Sequence, residues 1–159
     1  MLIGVLSDTH GCVEATRAAL RIFQELETEQ LLHCGDIGSA SIIDLFDSLP
    51  THFVFGNVDN RLLLRQAIDE GGHTCHGRFG SLELAGKKIA FLHGDDGRLL
   101  SDTVASGQWD LVCHGHTHHA ARVTVGSTVV LNPGALVRSD SPSVALVDLP
   151  AIRISPITL

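Results

Sequence analysis

The sequence predicts an α/β fold in which two mixed β-sheets pack together with helices on the outside. Over about the first 70 residues, short apolar runs alternate with segments of helical periodicity, a pattern typical of a parallel sheet with crossover helices. After Gly71 the pattern changes to short strands joined by tight turns, which indicates hairpins. No linker-like or low-complexity segment interrupts the chain, so residues 1–159 are expected to form one domain.

Composition limits the classes of function. Of the 159 residues, 44% are hydrophobic and 18% charged, a balance typical of packed globular proteins, and the apolar runs are too short to cross a bilayer. The net charge of −7 and the lack of a basic run argue against binding of long nucleic acid. The amino terminus lacks a leader pattern and the four scattered cysteines suit reduced thiols, so we expect a cytoplasmic protein without membrane contact.

Three strand and helix units precede Gly71. Their strands are predicted at residues 2–6, 31–34 and 52–55, where the runs are apolar. The helices follow at about 13–27, 42–49 and 62–68. Ser41 and Asp44 resemble a capping box for the second helix, and Asp59 or Asn60 is expected to cap the third.

The second half reads mainly as strands and turns. Strands are predicted at 74–79, 81–84, 88–92, 109–113, 123–125, 128–131 and 143–149, with a short edge strand at 152–154. A turn is expected at 85–87, and residues 98–105 are expected to form the only helix of this half.

Polar residues follow five of these strands. In α/β sheets ligands gather at the carboxyl ends of the strands, so the five groups have a geometric reason to meet. Four of them contain glycine, which lets the backbone turn sharply beside a ligand. Mixed oxygen and imidazole ligands suit divalent Mn, Fe, Zn or Ni. The groups are Asp8-x-His10, Gly35-Asp36, Gly56-Asn57, His93-Gly94 and Gly115-His116-x-His118.

This ordered set of motifs resembles the calcineurin-like metallophosphoesterase superfamily over residues 2 to about 134. The stretch 56–59, Gly-Asn-Val-Asp, is similar to the small prokaryotic phosphodiesterase branch. The resemblance implies a four-layer αββα sandwich of two mixed β-sheets flanked by helices, with a binuclear metal centre. It also implies that one metal is held by Asp8, His10 and His118, the other by Asn57, His93 and His116, and that Asp36 bridges the two.

The expected activity is therefore that of a binuclear metal-dependent phosphodiesterase. Its substrates would be small or nucleotide-like phosphodiesters, and a metal-bridging hydroxide would attack phosphorus in line. The centre would hold two divalent ions, which we expect to be Mn, with Fe, Ni or Zn as alternatives. The positive charge of the two ions, reduced by the negative charges of Asp8, Asp36 and the hydroxide, would leave a net charge of about +1. The residues assigned to catalysis are Asp8, Asp36, Asn57 and His93. Two alternative functions are a phosphomonoesterase and a non-catalytic scaffold such as the retromer subunit of this fold. The protein could also form a homo-oligomer.

Two positions depart from the wider family. Larger members have a histidine directly after the Gly-Asn pair, thought to assist the leaving group, and here that residue is Val58. The residue after His93-Gly94 is commonly histidine and here is Asp95, followed by Asp96. These carboxylates are either hydrogen-bond acceptors that orient metal ligands or solvated loop charges. Asn132, in the sequence Asn-Pro-Gly, either orients a ligand or forms a structural turn.

Overall fold

Eleven strands form the centre of the structure, a computed structural model that describes residues 1–159. They alternate with helices at the beginning of the chain and are joined mainly by turns towards its end. The strands are β1 (Leu2–Leu6), β2 (Gln30–His33), β3 (Thr51–Phe53), β4 (Thr74–Cys75), β5 (Phe79–Leu84), β6 (Lys87–Leu92), β7 (Leu111–Cys113), β8 (Ala121–Val125), β9 (Thr128–Asn132), β10 (Ser143–Asp148) and β11 (Arg153–Thr158).

The strands form two mixed sheets, as the sequence predicts. The first has the order β11-β10-β1-β2-β3-β4, in which β1 to β4 are parallel and the two last strands of the chain are antiparallel. The second has the order β5-β6-β7-β9-β8, with β6, β7 and β9 parallel. The parallel central strands therefore deliver their carboxyl ends to one edge of each sheet.

Four helical segments cover the sheets. They are α1 (Val13–Glu25), a 3₁₀ helix (Ala40–Phe46), α2 (Arg61–Glu70) and α3 (Gly97–Ala105). The first residues of α2 and α3 are capped by Asn60 and Asp96, whose side chains accept the amides of Leu63 and Leu99. None of these helices is both long and apolar enough to cross a bilayer.

The core shows four layers. Leu31 of β2 packs outward against α1 and the 3₁₀ helix, whereas the next residue, Leu32, faces the second sheet, because side chains alternate along a strand. Phe91 and Leu111 meet Leu32 from the second sheet. Beyond that sheet, α3 packs on the outer face of β6 and β7. The expected four-layer αββα sandwich is confirmed.

Three local predictions were wrong in detail. The segment expected as a helix over 42–49 is a 3₁₀ helix, and it is capped by Ser39 rather than by a box of Ser41 and Asp44. The adjacent β-branched residues Ile42 and Ile43 lower the preference of this segment for a regular α-helix. The strand predicted at 74–79 is divided into β4 and the start of β5. The final edge strand is longer than predicted, since β11 pairs with β10 over six residues.

Candidate metal centre

The loops after β1 and β2 are joined by their backbones. The amide of Asp8 donates to the carbonyl of Gly35 over 3.0 Å, and the amide of His10 donates to the carbonyl of Asp36 over 2.9 Å. These bonds continue the pairing of the two parallel strands beyond the sheet. Their consequence is that the carboxylates of Asp8 and Asp36, 28 residues apart in sequence, face the same space.

Five of the seven predicted ligand residues have a left-handed backbone. Such conformations cost roughly 1–3 kcal/mol each for residues with a side chain and persist only where surrounding structure imposes them. They concentrate at functional sites, where side chains must be aimed in one direction. The φ angles are 56° at Asp8, 44° at His10, 53° at Asp36, 67° at His116 and 60° at His118.

Glycine next to the ligands permits close backbone packing. A β-carbon at Gly115 would lie 2.7 Å from Oδ2 of Asp8, and one at Gly35 would lie 2.9 Å from Nδ1 of His93. Neither position has room for a side chain, so both glycines are required by their neighbours and not by their turns alone.

One cluster joins Asp8, His10 and His118. Nε2 of His118 lies 3.1 Å from Oδ1 of Asp8, and Nε2 of His10 lies 3.7 Å from the same oxygen. Nδ1 of His118 donates to the carbonyl of Arg138 over 3.1 Å. That bond places the proton on Nδ1 and leaves Nε2 free to bind a cation beside the carboxylate.

A second cluster joins Asp8, Asp36 and His93. Nδ1 of His93 donates to the carbonyl of Cys34 over 2.8 Å, so its Nε2 faces Oδ1 of Asp36 at 3.4 Å. The other oxygen of Asp36 lies 3.8 Å from Nε2 of His10. The two oxygens of Asp36 thus face histidines of both clusters, the arrangement that a carboxylate bridging two ions requires.

Three buried atoms of these clusters lack a hydrogen-bond partner: Oδ1 of Asp8, Nε2 of His10 and Nε2 of His93. Buried polar atoms without partners are rare and costly in proteins. A divalent cation coordinated by these atoms would satisfy all three, and a set of carboxylates and imidazoles is suited to Mn, Fe, Zn or Ni. The residues present therefore fit the metal centre that the motifs imply.

Charges within the clusters shift the ionisation of the ligands. Burial lowers the pKa of His93, but the Asp36 carboxylate and the Cys34 carbonyl together raise the pKa above its usual value. Burial raises the pKa of Asp36, but His93 and the amide of Val58 together lower the pKa below its usual value. A proton on Nε2 of His93 would occupy the position that a cation would take, so protons and metal would compete there.

His116 and Asn57 stand at the margin of the clusters. The exposed ring of His116 lies 5.1 Å from that of His93, and its amide donates to Oδ2 of Asp8 over 3.1 Å. Asn57 is also exposed. The amide of the next residue, Val58, donates to Oδ1 of Asp36 over 3.3 Å. Both predicted ligands therefore lie beside the second cluster, but neither side chain belongs to one of the two clusters.

Asp95 and Asn132 make their hydrogen bonds to groups other than the side chains of the predicted metal ligands. Asp95 forms a salt bridge of 2.6 Å with Arg78. Asn132 donates to the carbonyl of Gly115 and to Oγ1 of Thr117, both over 2.9 Å, and accepts the amide of Gly134. It is therefore a structural turn residue that also fixes the loop bearing His116 and His118.

Sequence reasoning did not identify three residues near the site. Asp59 accepts the amides of Gly38 and Gly56 over 2.9 and 2.8 Å, which ties together the two loops around Asp36. His33 bonds to Thr9 and Gly35 in the ligand loops, and the carbonyl of Arg138 accepts the Nδ1 proton of His118. The Gly-Asn-Val-Asp motif includes Asp59 and was the one signal that could have pointed to it.

The fold and these clusters define a class of phosphoesterases. The chain belongs to the calcineurin-like phosphoesterase superfamily, whose domain model matches residues 1–151. It is 33% identical over 138 residues to a phosphodiesterase of Methanocaldococcus jannaschii, covering 84% of this chain and 83% of that protein.

Solved structures agree in fold. The structure of an archaeal phosphodiesterase matches 100% of both chains with a TM-score of 0.93 and 28% identity. A zinc complex of Vps29 from Entamoeba histolytica matches 99% of both chains with a TM-score of 0.71. At 18% identity that second likeness shows the fold alone.

Proposed function

We propose that the protein is a metal-dependent phosphodiesterase that hydrolyses small or nucleotide-like phosphodiesters at a binuclear centre. The observation that supports this proposal most is the convergence of Asp8 and Asp36 with the Nε2 atoms of three histidines. Three atoms of this group, Oδ1 of Asp8 and Nε2 of His10 and of His93, are buried without a hydrogen-bond partner. The similarity to an archaeal phosphodiesterase supports the choice of a diester.

The predicted ligands fall into two sets, one for each ion. Asp8, His10 and His118 would hold one cation, and His93, with Asn57 and His116, the other. Asp36 would bridge them, since its two oxygens face His10 and His93. When bound, divalent cations neutralise phosphoryl oxygens and acidify the attacking water.

The chain's own residues set the geometry around the ions. The carbonyls of Cys34 and Arg138 hold the Nδ1 protons of His93 and His118, which fixes the direction of both Nε2 atoms. The amide of Val58 holds Asp36 in the orientation that a bridge needs. Because the side chain of Val58 cannot donate a proton, the proposal includes a preference for diesters with good leaving groups.

The test is the hydrolysis of bis(p-nitrophenyl) phosphate by metal-stripped protein titrated with Mn²⁺. Its activated leaving group needs little help from an acid, so the valine at position 58 cannot hide activity. Asp36→Asn keeps the size of the side chain but removes the charge, and we expect it to lower turnover by more than the roughly 10- to 100-fold typical of residues that only orient a ligand. Asp69→Asn, the same change at an exposed position on α2, is the matched control.

The outcomes separate the candidate functions. Turnover that depends on Mn²⁺, collapses in Asp36→Asn and survives in Asp69→Asn supports the diesterase. A folded protein that binds two Mn²⁺ ions per chain and leaves the diester intact would show that the proposal is wrong. Hydrolysis of p-nitrophenyl phosphate by that inert protein would then assign a phosphomonoesterase, and inertness towards both esters would assign a scaffold.

A further inference from the structure

The loop that bears Asn57 is not held by backbone pairing. Residues 56–59 follow β3, and none of their amides or carbonyls forms a hydrogen bond with another backbone group. The loop that bears His10 differs, because the amides of His10 and Gly11 donate to the carbonyls of Asp36 and Ile37 over 2.9 and 2.8 Å. The position of Asn57 must therefore be set by side chains.

Two carboxylates hold the Asn57 loop. The amide of Val58 donates to Oδ1 of Asp36 over 3.3 Å. The other carboxylate is that of Asp59, which accepts the amide of Gly56 at Oδ2 over 2.8 Å and the amide of Gly38 at Oδ1 over 2.9 Å. Hydrogen bonds to an ionised acceptor are stronger than neutral ones. Asn57 thus lies between two residues whose amides are both bound by a carboxylate.

The two carboxylates differ in their relation to the metal clusters. Asp36 is the predicted bridge, so a bound cation would draw on the same oxygen that accepts the amide of Val58. Asp59 belongs to neither cluster, and both of its oxygens accept backbone amides. It can therefore hold the loop without binding an ion itself.

Gly38 gives Asp59 a fixed point of attachment. Its φ angle is 86°, and a β-carbon there would lie only 2.8 Å from Cα of His10. The backbone at Gly38 is thus packed against the His10 loop, which its own backbone bonds hold in place. Asp59 therefore fastens a loop without backbone pairing to one that is already fixed.

We propose that Asp59 is a positioning residue that sets the affinity of the centre for the ion assigned to Asn57, His93 and His116. This inference rests on the proposed function for the presence of two ions and not for the ester. Groups that orient a metal ligand typically change metal affinity by roughly 10- to 100-fold. The other ion is spared, because the loops of its ligands are held by bonds that do not involve Asp59.

The test measures metal affinity and not turnover. Titration calorimetry with Mn²⁺ gives the two binding steps of the unsubstituted protein, Asp59→Asn and Asp59→Glu. Asparagine has one acceptor oxygen and turns an NH₂ group towards the second amide, so one of the two loop bonds is lost. His116→Gln removes a predicted ligand of the same ion and identifies its binding step. Asp69→Asn, at an exposed position on α2, is the matched control.

We expect Asp59→Asn to weaken one binding step roughly 10- to 100-fold, the step that His116→Gln also weakens, and to leave the other step unchanged. Asp59→Glu keeps the charge and both acceptor oxygens and should recover part of the affinity. Asp69→Asn should bind both ions as the unsubstituted protein does. Equal weakening of both steps would assign Asp59 to the overall charge or to stability and overturn the proposal, and so would two unchanged affinities.

A second variant decides the matter if Asp59→Asn does not fold. Asp59→Glu displaces the carboxylate by one methylene, so a selective weakening of the same step supports the proposal and unchanged binding of both ions overturns it. The diesterase fails separately, since a protein that binds two ions without hydrolysing the diester still yields both affinities. A single Mn²⁺ per chain in the unsubstituted protein would overturn the binuclear centre and this inference together.

Discussion

Gly56 lies so close to Asp36 that a β-carbon at position 56 would stand 2.7 Å from Cγ of the carboxylate. The φ angle of Gly56 is not left-handed, so the restriction is purely one of space. Gly56→Ala must therefore displace Asp36 or the loop that precedes Asn57. We expect a lower affinity for Mn²⁺ and a loss of diesterase activity, measured by titration calorimetry and by p-nitrophenol release.

The matched control for this change is Gly97→Ala at the start of α3. A β-carbon there would meet nothing within 4 Å, and alanine favours helix over glycine. We expect this variant to keep its metal affinity and to unfold at the same or a slightly higher temperature. Equal Mn²⁺ affinity in the two variants would contradict the steric account of Gly56.

His33 connects the two ligand loops through both of its ring nitrogens. Nε2 lies 3.0 Å from Oγ1 of Thr9, and Nδ1 accepts the amide of Gly35 over 3.2 Å. Burial, with a further contribution from His93, lowers the pKa of His33 to about 3. The folded protein therefore holds this imidazole neutral, because a proton on Nδ1 would break the bond to Gly35.

The lowered pKa of His33 makes the free energy of unfolding depend on pH. The unfolded chain takes up a proton at His33 below about pH 6.5, whereas the folded chain resists it down to about pH 3. The contribution to stability is thus complete above pH 6.5 and is lost as the pH falls towards 3. We expect His33→Asn to unfold more easily at pH 7 and to show a pH slope shallower by up to about 1 kcal/mol per pH unit.

Denaturant unfolding of the metal-free protein between pH 7 and pH 4 measures that slope. His119→Gln, which removes an exposed imidazole from the loop after β7, is the control. Parallel pH curves for the unsubstituted protein and His33→Asn would show that His33 titrates alike in both states.

Val58 offers a direct test of the missing acid. Val58 is 54% exposed and its amide donates to Asp36, so we expect a histidine at this position to be accommodated without disturbing the core. We expect Val58→His to accelerate hydrolysis of diesters with poor alkyl leaving groups by roughly tenfold or more, with little effect on bis(p-nitrophenyl) phosphate. The measurement is the dependence of rate on leaving-group pKa for both proteins. Identical dependence, or equal acceleration of all diesters, would contradict this role.

Local sequence patterns predicted much of the fold because burial and strand alternation leave clear signals. Leu31 and Leu32 illustrate this, since their adjacent positions already indicate a strand covered on both faces. The meeting of Asp8 with Asp36 also followed from the rule that parallel strands end at one edge. That these residues bind metal stays a prediction.

Other contacts could not be predicted because they depend on how distant loops approach. Asp95 pairs with Arg78 across neighbouring strand ends, and nothing in either local sequence indicates the partner. His33 is fully buried, and its bonds to Thr9 and Gly35 depend on the register of β1 and β2, which the local sequence does not reveal. Arg138 lies in an irregular loop where no periodicity applies.

The left-handed backbone at five predicted ligands has a consequence for where the centre can exist. A peptide that contains the Gly-His-Thr-His stretch would relax to ordinary turns, because each such conformation is unfavourable by itself. His116 and His118 are aimed by the two sheets and not by their own segment. The motif is therefore not transferable to another protein as a short graft, and any recipient would have to supply the paired sheets as well.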